Sequence, residues 1–313
     1  MAIKNRRIIV TGGAGFIGTN LVESIAKHNE VVVLDNMYTG KAENLKDAVV
    51  KYGVKIVRGN SGKVEAAMKR PDLIFHLGMY SSAPMYKGHN EYLADVVRDG
   101  VELFRYAAAN DIGVAFASTS SIYNGHRPPH RETMVPIVTD FYTEARIAIE
   151  RLAELYCKMC GLNAIGLRFF SVYGPHEESK GNYANLVSQF IWEAMRGKQP
   201  VVYGDGTQAR DYIYVADVID ALTKAAERTK GYDMVNVGTG RSYSVNEMIK
   251  RLAIASGCEI RPKYVRNPVK NYVQITKADT SKAKKVIGFS AKYTLDRGLR
   301  ETVRYYKQLG QWY

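Results

Sequence analysis

The chain has 313 residues, 46% of them hydrophobic, which is enough for one large domain or two modest ones around a buried core. Its 44 Lys and Arg against 31 Asp and Glu leave a formal charge of +13, yet no basic stripe or nucleic-acid motif gathers it, so solvated surface and anion sites for phosphorylated small molecules explain it better than nucleic acid. No apolar run reaches the roughly 20 residues of a membrane span, Met1–Arg7 has no signal-like apolar region, and three cysteines make no framework of bridges, so a cytoplasmic protein without membrane contact is expected.

The first half alternates β-branched runs with helical pattern. Strands are predicted at Arg7–Thr11, Glu30–Asp35, Lys55–Arg58, Leu73–Leu77, Val114–Ser118 and Ala164–Arg168, and the helices among them include Phe16–His28, Val96–Asn110 and Tyr142–Cys160. Continuous apolar strands separated by helices imply a parallel sheet covered on both faces, a doubly wound α/β fold. Beyond Gly174 come a polar loop Pro175–Asn182, a helix Ala184–Gly197, a strand Val201–Tyr203 and a turn Gly204–Gly206. Asp211–Val215 and Met234–Val237 are predicted as strands returning to the first lobe, with a helix Ala216–Arg228 between them. Ser244–Ser256 and Leu295–Leu309 are predicted helices of the second lobe. The expected organisation is therefore a dinucleotide-binding domain over 1–174 with 211–240 returning, and a smaller α/β substrate-binding lobe over 175–210 and 241–313. Neither repeats nor a long linker separate them, so the lobes are expected to pack together. Cys157 and Cys160 have redox spacing but lie in a helical stretch without strand–turn–helix context, which makes them structural.

Gly12, Gly15 and Gly18 directly follow the first strand and open a helix. Missing side chains there permit a tight turn and close backbone approach, and the helix N-terminus offers free N–H groups to a pyrophosphate. Asp35 ends the second strand, where a carboxylate accepts hydrogen bonds from the adenosine ribose and repels a 2′-phosphate, favouring NAD over NADP. Tyr142 and Arg146 are four residues apart on one predicted helix, which sets a phenol and a cation side by side. Thr119, Ser120 and Ser121 follow the fifth strand at its carboxyl end, where ligands of open α/β sheets bind.

Taken in order, Thr11–Gly18, Leu34-Asp35-Asn36 with Thr39-Gly40, His76-Leu77, Phe116–Tyr123, Tyr142, Arg168–Pro175, Gly204–Asp217, Asn236–Gly240 and Ala278–Ala283 make the chain resemble the extended short-chain dehydrogenase/reductase family, especially its nucleotide-sugar 4-epimerases. The resemblance implies a Rossmann domain with Tyr142 as acid/base and Thr119 hydrogen-bonded to the reacting hydroxyl. Arg146 stands where the family has a lysine that holds the nicotinamide ribose and favours the ionised tyrosine. A cation at about 5 Å in an effective dielectric of about 20 supplies on the order of 3 kcal/mol toward that ionisation, and arginine has the charge. What it lacks is a compact ammonium, so ribose binding is the property put in question.

The same resemblance implies cofactor contacts from Gly12, Gly15, Phe16, Ile17 and Gly18, from Asp35, Asn36, Thr39 and Gly40, and from Leu77, Gly78, Met79 and Phe169. Asn60, beside Ser61, replaces the acid that usually faces the adenine, Leu77-Gly78-Met79-Tyr80 replaces an alanine-rich segment, and Asp99-Gly100 stands near a family asparagine–glycine pair. These departures crowd the cofactor side. For the substrate, Arg210 matches the arginine that contacts a sugar nucleotide's diphosphate, Tyr203 the aromatic stacked on the base, and Asn182 with Tyr183 the stretch touching both. Ser171 replaces an asparagine. The family's late arginine and ribose-binding acid fall on Val269 and Tyr272, with Arg266 and Lys270 close enough to substitute.

By the same resemblance, 4,6-dehydratases carry Asp-Glu after the threonine and uronic-acid decarboxylases carry Ser-Glu; here the pair is Ser120-Ser121. That implies oxidation at sugar C4 and return of the hydride, with Tyr142 taking the 4-hydroxyl proton, a 4-keto sugar rotating, and no net use of NAD. The expected substrate is a nucleotide-diphosphate sugar of the UDP-glucose/UDP-galactose type. The rivals are another epimerase or an oxidoreductase of nucleotide sugars, and an NAD-binding regulatory protein with a weakened site. A homodimer is expected through Val96–Asn110 and Tyr142–Cys160, with Leu103, Phe104, Leu152 and Leu155 on their outward faces.

Overall fold

A computed structural model describes residues 3–137, 139–228, 230–268 and 273–310. Seven strands, β1 (Arg7–Thr11), β2 (Glu30–Asp35), β3 (Lys55–Arg58), β4 (Leu73–His76), β5 (Gly113–Thr119), β6 (Ala164–Phe169) and β11 (Tyr232–Val237), form one parallel sheet in the order β3-β2-β1-β4-β5-β6-β11. Period-two alternation splits each strand between two cores. Ile8, Val10, Val31 and Val33 pack with Leu21, Val22, Val218 and Leu222 on one face, and Ile9, Val32, Ile74 and Phe116 pack with Leu103, Phe104, Ala145 and Ile149 on the other. The order reverses direction between β1 and β4, which opens a crevice at their carboxyl ends.

The first face is covered by α1 (Phe16–Ile25) and α7 (Val215–Arg228), the second by α4 (Glu91–Ala109) and α5 (Phe141–Cys160). Helix α5 begins where Asp140 accepts the Thr143 N–H at 2.8 Å and ends at Gly161 with φ 71°, a paired start and stop signal. Short helices α2 (Lys46–Tyr52), α3 (Val64–Ala67) and α9 (Ser281–Ile287) fill connections that the periodicity does not flag. Among the described residues no helix is long and apolar enough to cross a membrane.

Two expectations need correction. Asp211–Val215 does not return to the main sheet: β10 (Tyr212–Tyr214) pairs in parallel with β7 (Ser171–Tyr173), which diverges from β6 after Phe170. The arrangement is held by Asp211 just before β10, whose buried carboxylate accepts N–H bonds from Thr239 and Gly240 after β11 and from Ala278 ahead of α9 and so ties these two segments to it. Leu103 and Phe104 do not face outward either. Both are fully buried, with Phe104 edge-on to His76 and Phe116, so on this pair of helices the exposed large apolar side chains are Phe141, at the start of α5, and Leu155 and Met159 further along it.

The remaining elements build the smaller lobe: α6 (Leu186–Met195), β8 (Val201–Tyr203) paired with β13 (Lys263–Val265), β9 (Ala209–Arg210) paired with β12 (Tyr243–Ser244), α8 (Val245–Ser256) and α10 (Leu295–Leu309). Ser244 and Glu247 close a capping box at the start of α8.

Candidate active site

The crevice at the strand ends is a cleft of about 460 Å3 lined from both lobes. Gly12 has φ 66°, and a Cβ on it would stand 2.6 Å from Gly78 Cα, so glycine is required where the loops after β1 and β4 touch. Gly15 precedes α1 without a side-chain cap, which leaves the first-turn N–H groups facing the cleft for an anion. Asp35 is buried, accepts from the Ala14 N–H at 3.0 Å and the Met37 N–H at 2.8 Å, and is raised above the ordinary carboxylate range by burial. Asn36 Nδ2 donates to Asn60 Oδ1 at 3.3 Å, and Ser61 Oγ donates to the Gly78 carbonyl at 2.6 Å. A cradle only backbone fits, an open helix N-terminus and an acid at the end of β2 suit a dinucleotide.

Of the residues anticipated on this side, Gly12, Gly15, Phe16, Ile17, Gly18, Asp35, Asn36, Thr39, Asn60, Ser61, Leu77, Gly78, Met79 and Phe169 all line the cleft. Gly40 does not. It packs beneath Asp35, where a Cβ would come within 2.9 Å of both carboxylate oxygens, so its part is to support the acid.

Tyr142 and Arg146 line the cleft opposite Thr119 and the Ser120-Ser121 pair. The Arg146 guanidinium lies 4.9 Å from the centre of the Tyr142 ring, and the side chain is buried. Its Nη2 donates to the Tyr80 carbonyl at 2.6 Å and its Nη1 to Met79 Sδ at 3.5 Å. Thr119 Oγ1 accepts the Ser121 N–H at 3.1 Å and lies 3.2 Å from Ser121 Oγ, so the two hydroxyls present together. Helix α5 is fixed one turn further on, because Glu150 accepts from Ser118 Oγ at 2.5 Å and from Arg168 Nε and Nη2 at 3.0 and 2.7 Å. Tyr142, Arg146 and Glu150 are four residues apart and share one helix face, so this buried pair sets where the phenol sits against β5.

His76 is fully buried behind this group. Thr11 Oγ1 accepts the N–H groups of Leu77 and Gly78, so its hydrogen points to His76 Nδ1, 2.9 Å away. Burial first, and then the Arg146 charge, push His76 down to about 3, so the ring is neutral.

On the sugar-nucleotide side, Ser171, Tyr183 and Arg210 line the cleft, whereas Asn182, Tyr203 and Arg266 do not. Asn182 and Arg266 are exposed, and Tyr203 is 41% exposed. Val269, Lys270 and Tyr272 lie outside the described residues. Sequence reasoning overlooked Tyr38, Glu177, Lys180 and Asn185, all of which line the cleft, and gave Tyr80, which lines it too, no role of its own. Asn185 Nδ2 donates to Ser171 Oγ at 3.0 Å, bringing an amide from the start of α6 to the place the serine leaves short. Glu177 is wholly buried and accepts from Lys180 Nζ, the Asn185 N–H and Ser188 Oγ. The available signal was the polar spacing ahead of α6, where an asparagine N-cap at 185 would have placed the helix start at Leu186, two residues later.

The sequence profile of the NAD dependent epimerase/dehydratase family matches residues 8–238. UDP-glucose 4-epimerase of Mycolicibacterium smegmatis is 29% identical over 316 residues, covering 97% of this chain and 100% of that protein. UDP-glucuronic acid decarboxylase 3 of Arabidopsis thaliana is 31% identical over 306 residues, covering 94% of this chain and 87% of that protein. The solved structure of UDP-N-acetylglucosamine 4-epimerase from Methanobrevibacter ruminantium M1, in complex with UDP-N-acetylmuramic acid, superposes with a TM-score of 0.92 at 28% identity and covers 98% of this chain and 100% of that one.

Proposed function

The chain belongs to the NAD dependent epimerase/dehydratase family, and from that premise we propose that it inverts C4 of a nucleotide-diphosphate sugar of the UDP-glucose/UDP-galactose type. NAD, when bound, supplies a hydride acceptor that gives back what it takes. Tyr142 takes the proton of the 4-hydroxyl and later restores it, while Thr119 and Ser121 hold that hydroxyl in line. Arg146 sets a positive charge on the ring face of Tyr142 and so offsets the charge the phenol acquires on losing its proton. Arg210 meets the diphosphate with a guanidinium fork.

The observation that carries this reading is the hydroxyl pair Ser120-Ser121 beside Thr119. Dehydration or decarboxylation chemistry in this family places an acid there. The carboxylates that line this cleft are engaged elsewhere: Asp35 by Ala14 and Met37, Asp95 by Arg98, Asp99 by the backbone of Ser61 and Gly62, and Glu177 by Lys180 and Ser188. The test is incubation with UDP-glucose, UDP-galactose and their N-acetyl and uronic relatives, with product identity and NADH absorbance followed together. Interconversion without NADH accumulation supports the proposal. Stoichiometric NADH selects a dehydrogenase, a pentose product from the uronic substrate selects a decarboxylase, and tightly held NAD with no turnover on UDP-, GDP- or dTDP-sugars selects a regulatory protein. The homodimer now rests on the exposed Leu155 and Met159 of α5; a monomeric mass by light scattering at micromolar concentration would remove it.

A further inference from the structure

Three tyrosines from separate segments meet at the dinucleotide side of the cleft. Tyr38 comes from the loop that follows Asp35, Tyr80 from the loop after β4, and Tyr92 from the first turn of α4. The Tyr80 and Tyr92 rings are stacked with centroids 3.8 Å apart and planes at 6°, and Tyr38 meets both edge-on at 5.1 and 5.8 Å. Tyr92 Oη donates to Tyr38 Oη at 3.3 Å, and His89 stacks on Tyr92 at 4.8 Å. Tyr38 and Tyr80 line the cleft, Tyr38 is 48% exposed, and Tyr92 lies outside the lining. The rings therefore bridge the two loops flanking the dinucleotide side, on the solvent side of that space.

Among the described residues, Tyr80 is tied to the rest of the molecule by Arg146, whose Nη2 donates to its carbonyl while Nη1 reaches the neighbouring Met79 sulfur. A lysine ammonium at 146 would have the charge but not the two-pronged reach. We propose that the three tyrosines form a clasp over the bound dinucleotide and that Arg146, besides facing Tyr142, is the positioning residue that keeps the clasp shut. The arginine at this helix position and the aromatic segment after β4 are then one adaptation. The clasp rests on the family's dinucleotide and not on the C4 chemistry.

The experiment loads the protein with NADH, chases with excess NAD, and follows the loss of bound-NADH fluorescence. Tyr92→Ala removes one ring of the stack without touching the lining and is expected to speed release about threefold to tenfold, of the order of one aromatic pair's contribution. Arg146→Lys is expected to speed it similarly although the charge is kept. The double variant should be no faster than the faster single, since both open the same contact. Tyr92→Phe keeps the stack and should stay near the wild-type rate. Should Tyr92→Ala fail to fold, Tyr38→Ser at the half-exposed position tests the same contact and should also accelerate release. Wild-type release in Tyr38→Ser and Arg146→Lys, or rate factors that multiply in the double variant, would overturn the clasp. An absence of epimerase turnover alongside the expected release rates would sink the proposed function and leave the clasp standing.

Discussion

The two sides of the cleft are built by different means. The dinucleotide side stands on the ends of a seven-stranded sheet, and its close contacts are backbone on backbone, as where Gly12 meets Gly78. The sugar-nucleotide side stands on ribbons of two or three residues, β7 with β10 and β9 with β12, and its contacts are made by side chains such as Asn185 on Ser171. Backbone contacts tolerate few sequences, and side-chain contacts many. One side of such an enzyme can therefore stay constant while the other is retuned for a new sugar.

Substitutions on the two sides should separate cleanly. The largest effect is expected at their junction: Tyr142→Phe removes the proton acceptor and should lower turnover on the order of a hundredfold to ten-thousandfold while leaving NADH fluorescence titrations unchanged. On the sugar side, Arg210→Met should raise KM for the nucleotide sugar on the order of tenfold to a hundredfold, the loss of a charge-assisted contact, with dinucleotide affinity unaltered. On the other side, Asp35→Ala should improve NADP relative to NAD by about tenfold, read as the ratio of dissociation constants. Weakened NADP binding alongside NAD in that variant would mean the acid only supports the loop that Ala14 and Met37 join.

The smallest effect concerns His76, behind the dinucleotide side. Its folded-state value of about 3 lies below the ordinary 6.5, so the unfolded chain binds the extra proton. Stability is unaffected above pH 6.5 and falls as pH drops from there toward about 3. His76→Asn, which keeps an acceptor for Thr11, should flatten the fall in melting temperature between pH 7 and 5. An unchanged slope would assign the acid sensitivity to the buried carboxylates.

Legibility in the sequence followed the same division. Of the six strands from Arg7 to Arg168, five were visible because their runs are mainly apolar and buried on both faces, the edge strand Lys55–Arg58 showed only its short β-branched centre, and the glycines were visible because their context is strand then helix. The cleft residues of that side were accordingly placed, apart from Gly40, which serves Asp35 from beneath. The strand at Tyr212–Tyr214 was seen but mis-paired, since local pattern carries no information about Asp211 gathering Thr239, Gly240 and Ala278 from distant loops. Leu103 and Phe104 were assigned outward because a helical wheel has no absolute orientation until its sheet is known. Tyr203 and Asn182 were matched to the ligand by motif position alone, and in the structure neither lines the cleft, since a motif match carries no information about how a three-residue strand and a loop sit against the main sheet. The tyrosine stack was invisible because its rings come from three segments.

The most direct measurement uses UDP-glucose deuterated at C4, incubated with the NAD-loaded protein and read by mass spectrometry and NMR of the separated nucleotide sugars. We expect UDP-galactose carrying the deuterium at C4, with none washed into solvent and none accumulating in free cofactor, because the atom removed at C4 is the atom returned there. Deuterium lost to water, retained in released cofactor, or left in unconverted UDP-glucose after prolonged incubation with the uronic and N-acetyl analogues also unconverted, would contradict C4 epimerisation by this chain.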